Sequence, residues 1–215
     1  MLGLNPATLI SRMIVLLVAF TIHELAHAVT ADRMGDPTPR RMGRITLNPL
    51  AHLDPFGTIM LLISGFGWAK PVMVNPMNLR GNPRSSMAIV AAAGPISNVI
   101  MAVIFALPFQ LGLVRFSAFG GSTVFPSLGE LLFQFVWINL ILAFFNLIPI
   151  PPLDGYKILT GILPPDISYR LRPLEQYGFL ILMGAIFVLP MLGIDLISNL
   201  IMGPSMAVLT FLIGL

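Results

Sequence analysis

The sequence predicts an all-α integral membrane protein of about five transmembrane helices, with a re-entrant segment and a small β-hairpin or loop sheet near the cytoplasmic face. Three observations predict it. Of 215 residues, 56% are hydrophobic and only 10% are charged, whereas soluble domains carry about 25% charged residues. Several apolar runs reach the roughly 17–25 residues that span a bilayer. The basic residues gather in alternate loops, as the positive-inside rule requires of membrane helices.

The predicted spans run Leu9–Ala31, Met87–Leu111, Leu131–Ile150, Tyr177–Leu192 and Leu196–Leu215. The fourth is short and borrows a turn or two from Ser168–Gln176. Phe56–Phe66 is a largely apolar run of eleven residues, about 16 Å of helix, which is too little to cross and reads as re-entrant or buried. Between Asp36 and Asn48, Pro37 and Pro39 argue against helix, and Met42, Ile45 and Leu47 leave short strand pieces around a glycine bend. That pattern predicts a small hairpin. Gly65–Asn75 is glycine-punctuated and then alternating, a second extended loop. Such backbone is tolerated at membrane depth when it is buried in protein or lines a wet cavity.

Arg33, Arg40, Arg41, Arg44, Lys70, Arg80 and Arg84 lie between the first two spans, and Lys157, Arg170 and Arg172 between the third and fourth. The second loop offers only Arg115 and the fourth has no basic residue. This alternation predicts an external N-terminus and cytoplasmic Arg-rich segments. The net charge of +3 is therefore a topology signal, and no nucleic-acid partner is expected. With no cysteine in the chain, disulfides, thiolate nucleophiles and cysteine metal sites are excluded. No signal peptide is read at the N-terminus, since no small-residue cleavage site follows the first apolar run. Residues 1–215 read as one membrane-embedded domain, with a core at about 9–155 and C-terminal helices over 156–215.

Within the first span stands His23-Glu24-Leu25-Ala26-His27. Residues four apart share a helix face, so the two imidazoles can close on one zinc ion. Glu24 is turned about 100° from His23 around the axis, which suits a base taking a proton from an attacking water. Ionisable groups in a lipid-embedded helix are costly and persist when they face an interior site.

The pair needs a third ligand. Glu130 and Asp195 fall on the external side in this topology, and Asp32 and Asp36 follow the motif too closely to fold back. Asp154 lies in Asn146-Leu-Ile-Pro149-Ile-Pro151-Pro152-Leu-Asp154-Gly155, where prolines break a helix at the cytoplasmic end of the third span. That position brings it to the depth of the histidines, where a carboxylate completes a two-His-one-carboxylate set. Its alternative role is an N-cap for a helix over Tyr156–Leu163. His52 is read either as a turn-stabilising hydrogen-bonding group or as a gating or transient metal group. Asn139 is read as an interhelical hydrogen-bonding residue.

These residues carry a resemblance. The HExxH helix and the Asn-x-x-Pro-x-x-Pro-x-Asp-Gly element resemble the site-2 protease family of intramembrane zinc metalloproteases. So do Asn48–Gly57, Gly65–Pro71 and Ala93–Asn98. The likeness is to compact bacterial and archaeal members without PDZ or CBS modules, and it covers roughly Leu9–Gly155. It implies zinc on His23, His27 and Asp154, Glu24 as catalytic base, and Asn146 and Asn98 holding the scissile carbonyl or substrate backbone. It implies cleavage of a peptide bond within or near a transmembrane helix of a membrane-protein substrate, in a prokaryotic cell membrane with the site toward the cytoplasm. The rivals are a zinc-holding scaffold or chaperone-like binder, which has no need of Glu24, and a metal transporter, which needs a continuous polar path. The partners expected are the lipid bilayer and a transmembrane-helix protein; the sequence sets no oligomeric state.

Overall fold

The computed structural model describes residues 6–64, 67–114 and 124–214. Among the described residues it is built of helices, five of which are long and apolar enough to cross a membrane. The first is α1 (Pro6–Arg33). After a short helix α2 (Thr38–Arg41) and the ten-residue α3 (Pro55–Ser64) come α4 (Pro83–Gln110) and α5 (Leu128–Asn146). The chain then breaks through Pro149–Pro152 into α6 (Asp154–Ile162). The fourth span, Pro165–Met191, is composite. It joins α7 (Pro165–Leu171), a 3₁₀ stretch, α8 (Gly178–Met183), a π turn at Gly184–Val188 and α9 (Leu189–Met191). The last span is α10 (Leu196–Ile213).

Helix α4 is the hub, packed against α1, α5 and α6, with α10 closing on α5 and α4. Small residues let these helices approach closely, as membrane packing favours. Ala102 and Ala106 of α4 meet Val136 and Leu140 of α5 and Leu209 of α10 in one fully or nearly fully buried cluster. Large apolar side chains such as Ile100, Leu107, Leu180 and Phe211 point outward, which suits lipid contact. The chain is accordingly a multi-pass membrane protein.

Two sequence expectations change. No hairpin forms over 36–48: Thr38–Arg41 is a short helix with proline in its first turn. Proline is excluded from helix interiors, but in the first turn its missing N–H has no intrahelical partner to lose. Asp36 Oδ1 accepts from the Thr38 amide at 3.1 Å and its hydroxyl at 2.6 Å, which caps that turn. The strand pairing among the described residues is an isolated antiparallel bridge between Leu53 and Ala69, beside a Lys70 N–H to His52 carbonyl bond of 2.8 Å. The fourth span borrows upstream as expected but reaches further, taking in all of Ser168–Gln176 and beginning at Pro165. The basic-poor loop at Arg115, and Gly65 and Phe66 of the second extended loop, lie outside the described residues.

Candidate metal centre

His23 and His27 stand one helical turn apart on α1, both buried. Their Nε2 atoms are 3.0 Å from each other. Asp154, at the start of α6, places Oδ2 3.2 Å from His23 Nε2 and 3.1 Å from His27 Nε2. Three elements distant in sequence supply the scaffold: α1 gives the imidazoles, the proline break after α5 aims the carboxylate, and α4 backs both.

The hydrogen bonds behind the rings fix their tautomers. His27 Nδ1 is 2.8 Å from the Val90 carbonyl oxygen, which can only accept. His27 Nδ1 therefore carries the proton and Nε2 offers a lone pair. Proline inside a helix removes a ladder bond and bends the adjacent turn. Pro95 lies inside α4, little more than a turn beyond the Val90 carbonyl that His27 meets. For His23 the logic runs through two amides. Asn139 Nδ2 donates to the Phe135 carbonyl at 2.8 Å. Asn98 Nδ2 in turn donates to Asn139 Oδ1 at 2.8 Å, leaving Asn98 Oδ1 2.6 Å from His23 Nδ1. A backbone carbonyl at the end of the relay thus makes His23 Nδ1 a donor and its Nε2 a lone pair.

Two imidazole lone pairs and a carboxylate oxygen, all about 3 Å apart, repel one another unless a positive charge lies between them. A tetrahedral ion with bonds of about 2.0–2.1 Å spaces its ligand atoms by roughly 3.3 Å, and zinc takes such a nitrogen and oxygen donor set. The backing helix leaves room for it. A Cβ at Gly94 would lie 2.4 Å from His27 Nε2 and 2.6 Å from His23 Nε2, so α4 needs glycine there. Gly155 has a comparable reason: its Cβ would lie 2.2 Å from the Leu147 carbonyl oxygen, closing the tight turn that delivers Asp154.

Glu24 is buried on the neighbouring face of α1. Its Oε2 accepts from the Val72 N–H at 3.0 Å, and Arg44 Nη2 stands 3.8 Å away. His23, Glu24, His27, Asp154, Asn146 and Lys157 share one cavity of about 290 Å3, with Trp68 and Phe179 among its apolar walls. Asn146 Nδ2 donates to the Leu142 carbonyl at 3.0 Å. Asn98 does not reach this cavity: it is fully buried, and its amide is committed to His23 and Asn139. Asp154 sits at the first position of α6, not at its N-cap, which is Leu153. His52 is fully buried with Nε2 2.9 Å from the Thr46 carbonyl oxygen, and lies apart from the metal-binding cluster.

Sequence reasoning missed Val72, Val90, Gly94, Arg44 and Lys157. Val72 and Val90 act through the backbone, which no side-chain motif announces. Gly94 stands in the Ala93–Asn98 stretch, which the sequence marks only as a family likeness, and the buried Arg44 in a basic loop, which it marks only as a topology signal.

Fold and donor set define a class: a multi-pass membrane protein with a two-histidine, one-carboxylate metal centre and an adjacent glutamate. Residues 11–191 match the family model described as Peptidase family M50, and the chain belongs to that family, the site-2 proteases. It is 42% identical over 193 residues to a Bacillus subtilis protein named "Putative zinc metalloprotease YwhC", covering 86% of this chain and 84% of that one. It is 34% identical over 168 residues to the similarly named Rip2 of Mycolicibacterium smegmatis, covering 77% of this chain and 62% of that one. The archaeal relative MJ0611 of Methanocaldococcus jannaschii is 33% identical over 140 residues, covering 65% of this chain and 64% of its own. No solved structure matches the chain.

Proposed function

We propose that this protein is an intramembrane zinc metalloprotease that hydrolyses a peptide bond within or near a transmembrane helix of a membrane-protein substrate. The observation that carries the reading is the convergence of three lone-pair atoms, His23 Nε2, His27 Nε2 and Asp154 Oδ2, beside the Glu24 carboxylate in one cavity among membrane helices. When bound, zinc acidifies a water and polarises a carbonyl. Glu24 takes the proton of the attacking water and returns it to the leaving amine. Asn146 lines the cavity with one amide hydrogen on Leu142; the other is available to the oxygen of the scissile carbonyl. Asn98 orients His23 in this reading, in place of the substrate contact expected from the resemblance.

The substrate helix must unwind before attack, because its peptide groups are tied in their own hydrogen bonds. The extended segment 70–75 is suited to capture the unwound strand by main-chain pairing. Its Lys70, Val72 and Asn75 amides are already engaged, so the free edge centres on Met73, which is exposed. The Arg-rich segments before α4 support a cavity open toward the cytoplasm, and the ten residues of α3, about 15 Å and too short to cross, support a segment that dips into that leaflet. The test is cleavage of a model transmembrane peptide by the wild type and by Glu24→Gln, with zinc content measured in both. Equal cleavage by the two proteins would sink the assignment, and zinc binding without cleavage by either favours a non-catalytic scaffold.

A further inference from the structure

Arg44 follows the Gly43 turn, and its side chain is only 4% exposed. Nη1 donates to the Ala51 carbonyl at 2.5 Å and Nη2 to the Lys70 carbonyl. Nη2 also stands 3.8 Å from Glu24 Oε2. Nε is buried without a hydrogen-bond partner. A guanidinium taken out of water is costly unless negative charge and good hydrogen bonds compensate. Two neutral carbonyls hold the fork in place, but they do not balance its charge; among the described residues the carboxylate within 4 Å is Glu24.

The same oxygen of Glu24 accepts from Val72, two residues beyond the Lys70 carbonyl that Arg44 holds. Arg44 therefore grips the extended segment and faces the carboxylate beneath it, so that segment, arginine and glutamate form one unit. Both contacts fall on Oε2, which turns Oε1 to the opposite side. We propose that Arg44 is a positioning residue for the reaction: it fixes the Lys70–Val72 segment over Glu24 and holds Oε2, so that Oε1 is presented to the attacking water. This rests on the hydrolytic reading above. A neutral side chain could bridge Ala51 and Lys70, but it would leave the buried Glu24 charge unbalanced.

The test uses the full chain, zinc-loaded, in detergent or nanodiscs. Arg44→Gln keeps a hydrogen-bonding group without charge, and Arg44→Lys keeps charge without the fork. The expected result for Arg44→Gln is wild-type zinc content and a kcat on a transmembrane peptide reduced about tenfold or more, with KM nearly unchanged. Arg44→Lys should recover part of kcat. Independently of activity, a thermal-unfolding cycle with Glu24→Gln should be non-additive: Arg44→Gln lowers Tm less when Glu24 is already neutral. If the wild type cleaves nothing, the hydrolytic reading fails, and the cycle still reports whether Arg44 and Glu24 act as a pair. If Arg44→Gln does not fold, the cycle is run with Arg44→Met, which keeps the bulk and removes the charge, and the same non-additivity is expected. Additive Tm shifts, or an unchanged kcat in Arg44→Gln, overturn the proposal.

Discussion

Asn98 Oδ1 and His23 Nδ1 lie 2.6 Å apart across 75 residues of sequence. The contact sets which ring nitrogen faces the metal centre, and it is itself oriented through Asn139 from the Phe135 carbonyl. Partners of this kind typically change metal affinity 10–100-fold when removed. Asn98→Ala should weaken zinc binding by about that factor in a chelator competition. Asn98→Asp keeps an acceptor for His23 and should lose less. Equal affinity in wild type and Asn98→Ala would show that the ring needs no such support.

Gly94 gives a steric prediction. Gly94→Ala places a methyl 2.4 Å from His27 Nε2 and 2.6 Å from His23 Nε2, where the ligand atoms must converge. Zinc content of the purified variant should fall far below one ion per chain, while circular dichroism stays helical because alanine is the better helix former. Gly203→Ala on α10 is the control, since nothing lies within 4 Å of its added Cβ, and it should keep full zinc.

What was legible in the sequence follows from the range of the interaction. His23, Glu24 and His27 are read from helix period alone, and Asp154 from a proline break that had to end a membrane span on the same side. Span positions follow from apolar run length, except that the fourth span borrows all of Ser168–Gln176 and begins at Pro165, where few apolar residues announce the full extension. After α1, Pro37 and Pro39 argue against helix in the sequence, yet Pro39 falls in a first turn, where its missing N–H costs nothing and Asp36 accepts from the Thr38 amide. Asn98 could be placed on α4, but only the packing of α4 against α1 decides that it faces His23 and not the cavity.

Removing the metal should expose how much stability it supplies. The lone pairs of His23, His27 and Asp154 converge to 3.0–3.2 Å, and without a cation their mutual repulsion should favour separation of the helices that carry them. A ligand present at 100 times its Kd stabilises a native state by about 2.7 kcal/mol. Chelator should therefore lower Tm measurably and zinc should restore it. In His27→Ala the two traces should coincide. A chelator-induced drop that persists in that variant would place the effect at another site.

Asp36 ties the end of α1 to the segment that covers Glu24, and it should make stability depend on acid. It is fully buried, and its carboxylate accepts from the Thr38 amide and hydroxyl, the Asn75 amide at 2.7 Å and Asn78 Nδ2 at 2.9 Å. Burial pushes its pKa up, but these hydrogen bonds outweigh it and hold the group below its ordinary value. A carboxyl depressed in the folded state contributes stability that is fully present above its unfolded pKa, about 3.9. That contribution is lost as pH falls through the folded value. Asp36→Asn keeps one acceptor but turns an amide toward the Asn75 N–H, and should cost about 1–3 kcal/mol at pH 7. The gap in Tm between wild type and variant should narrow as the pH is lowered below about 4, since the wild type alone loses its charge there. Thermal unfolding from pH 7 to pH 3 checks this, and a gap that stays constant to pH 3 would mean that the ionised carboxylate is not what holds the segment down.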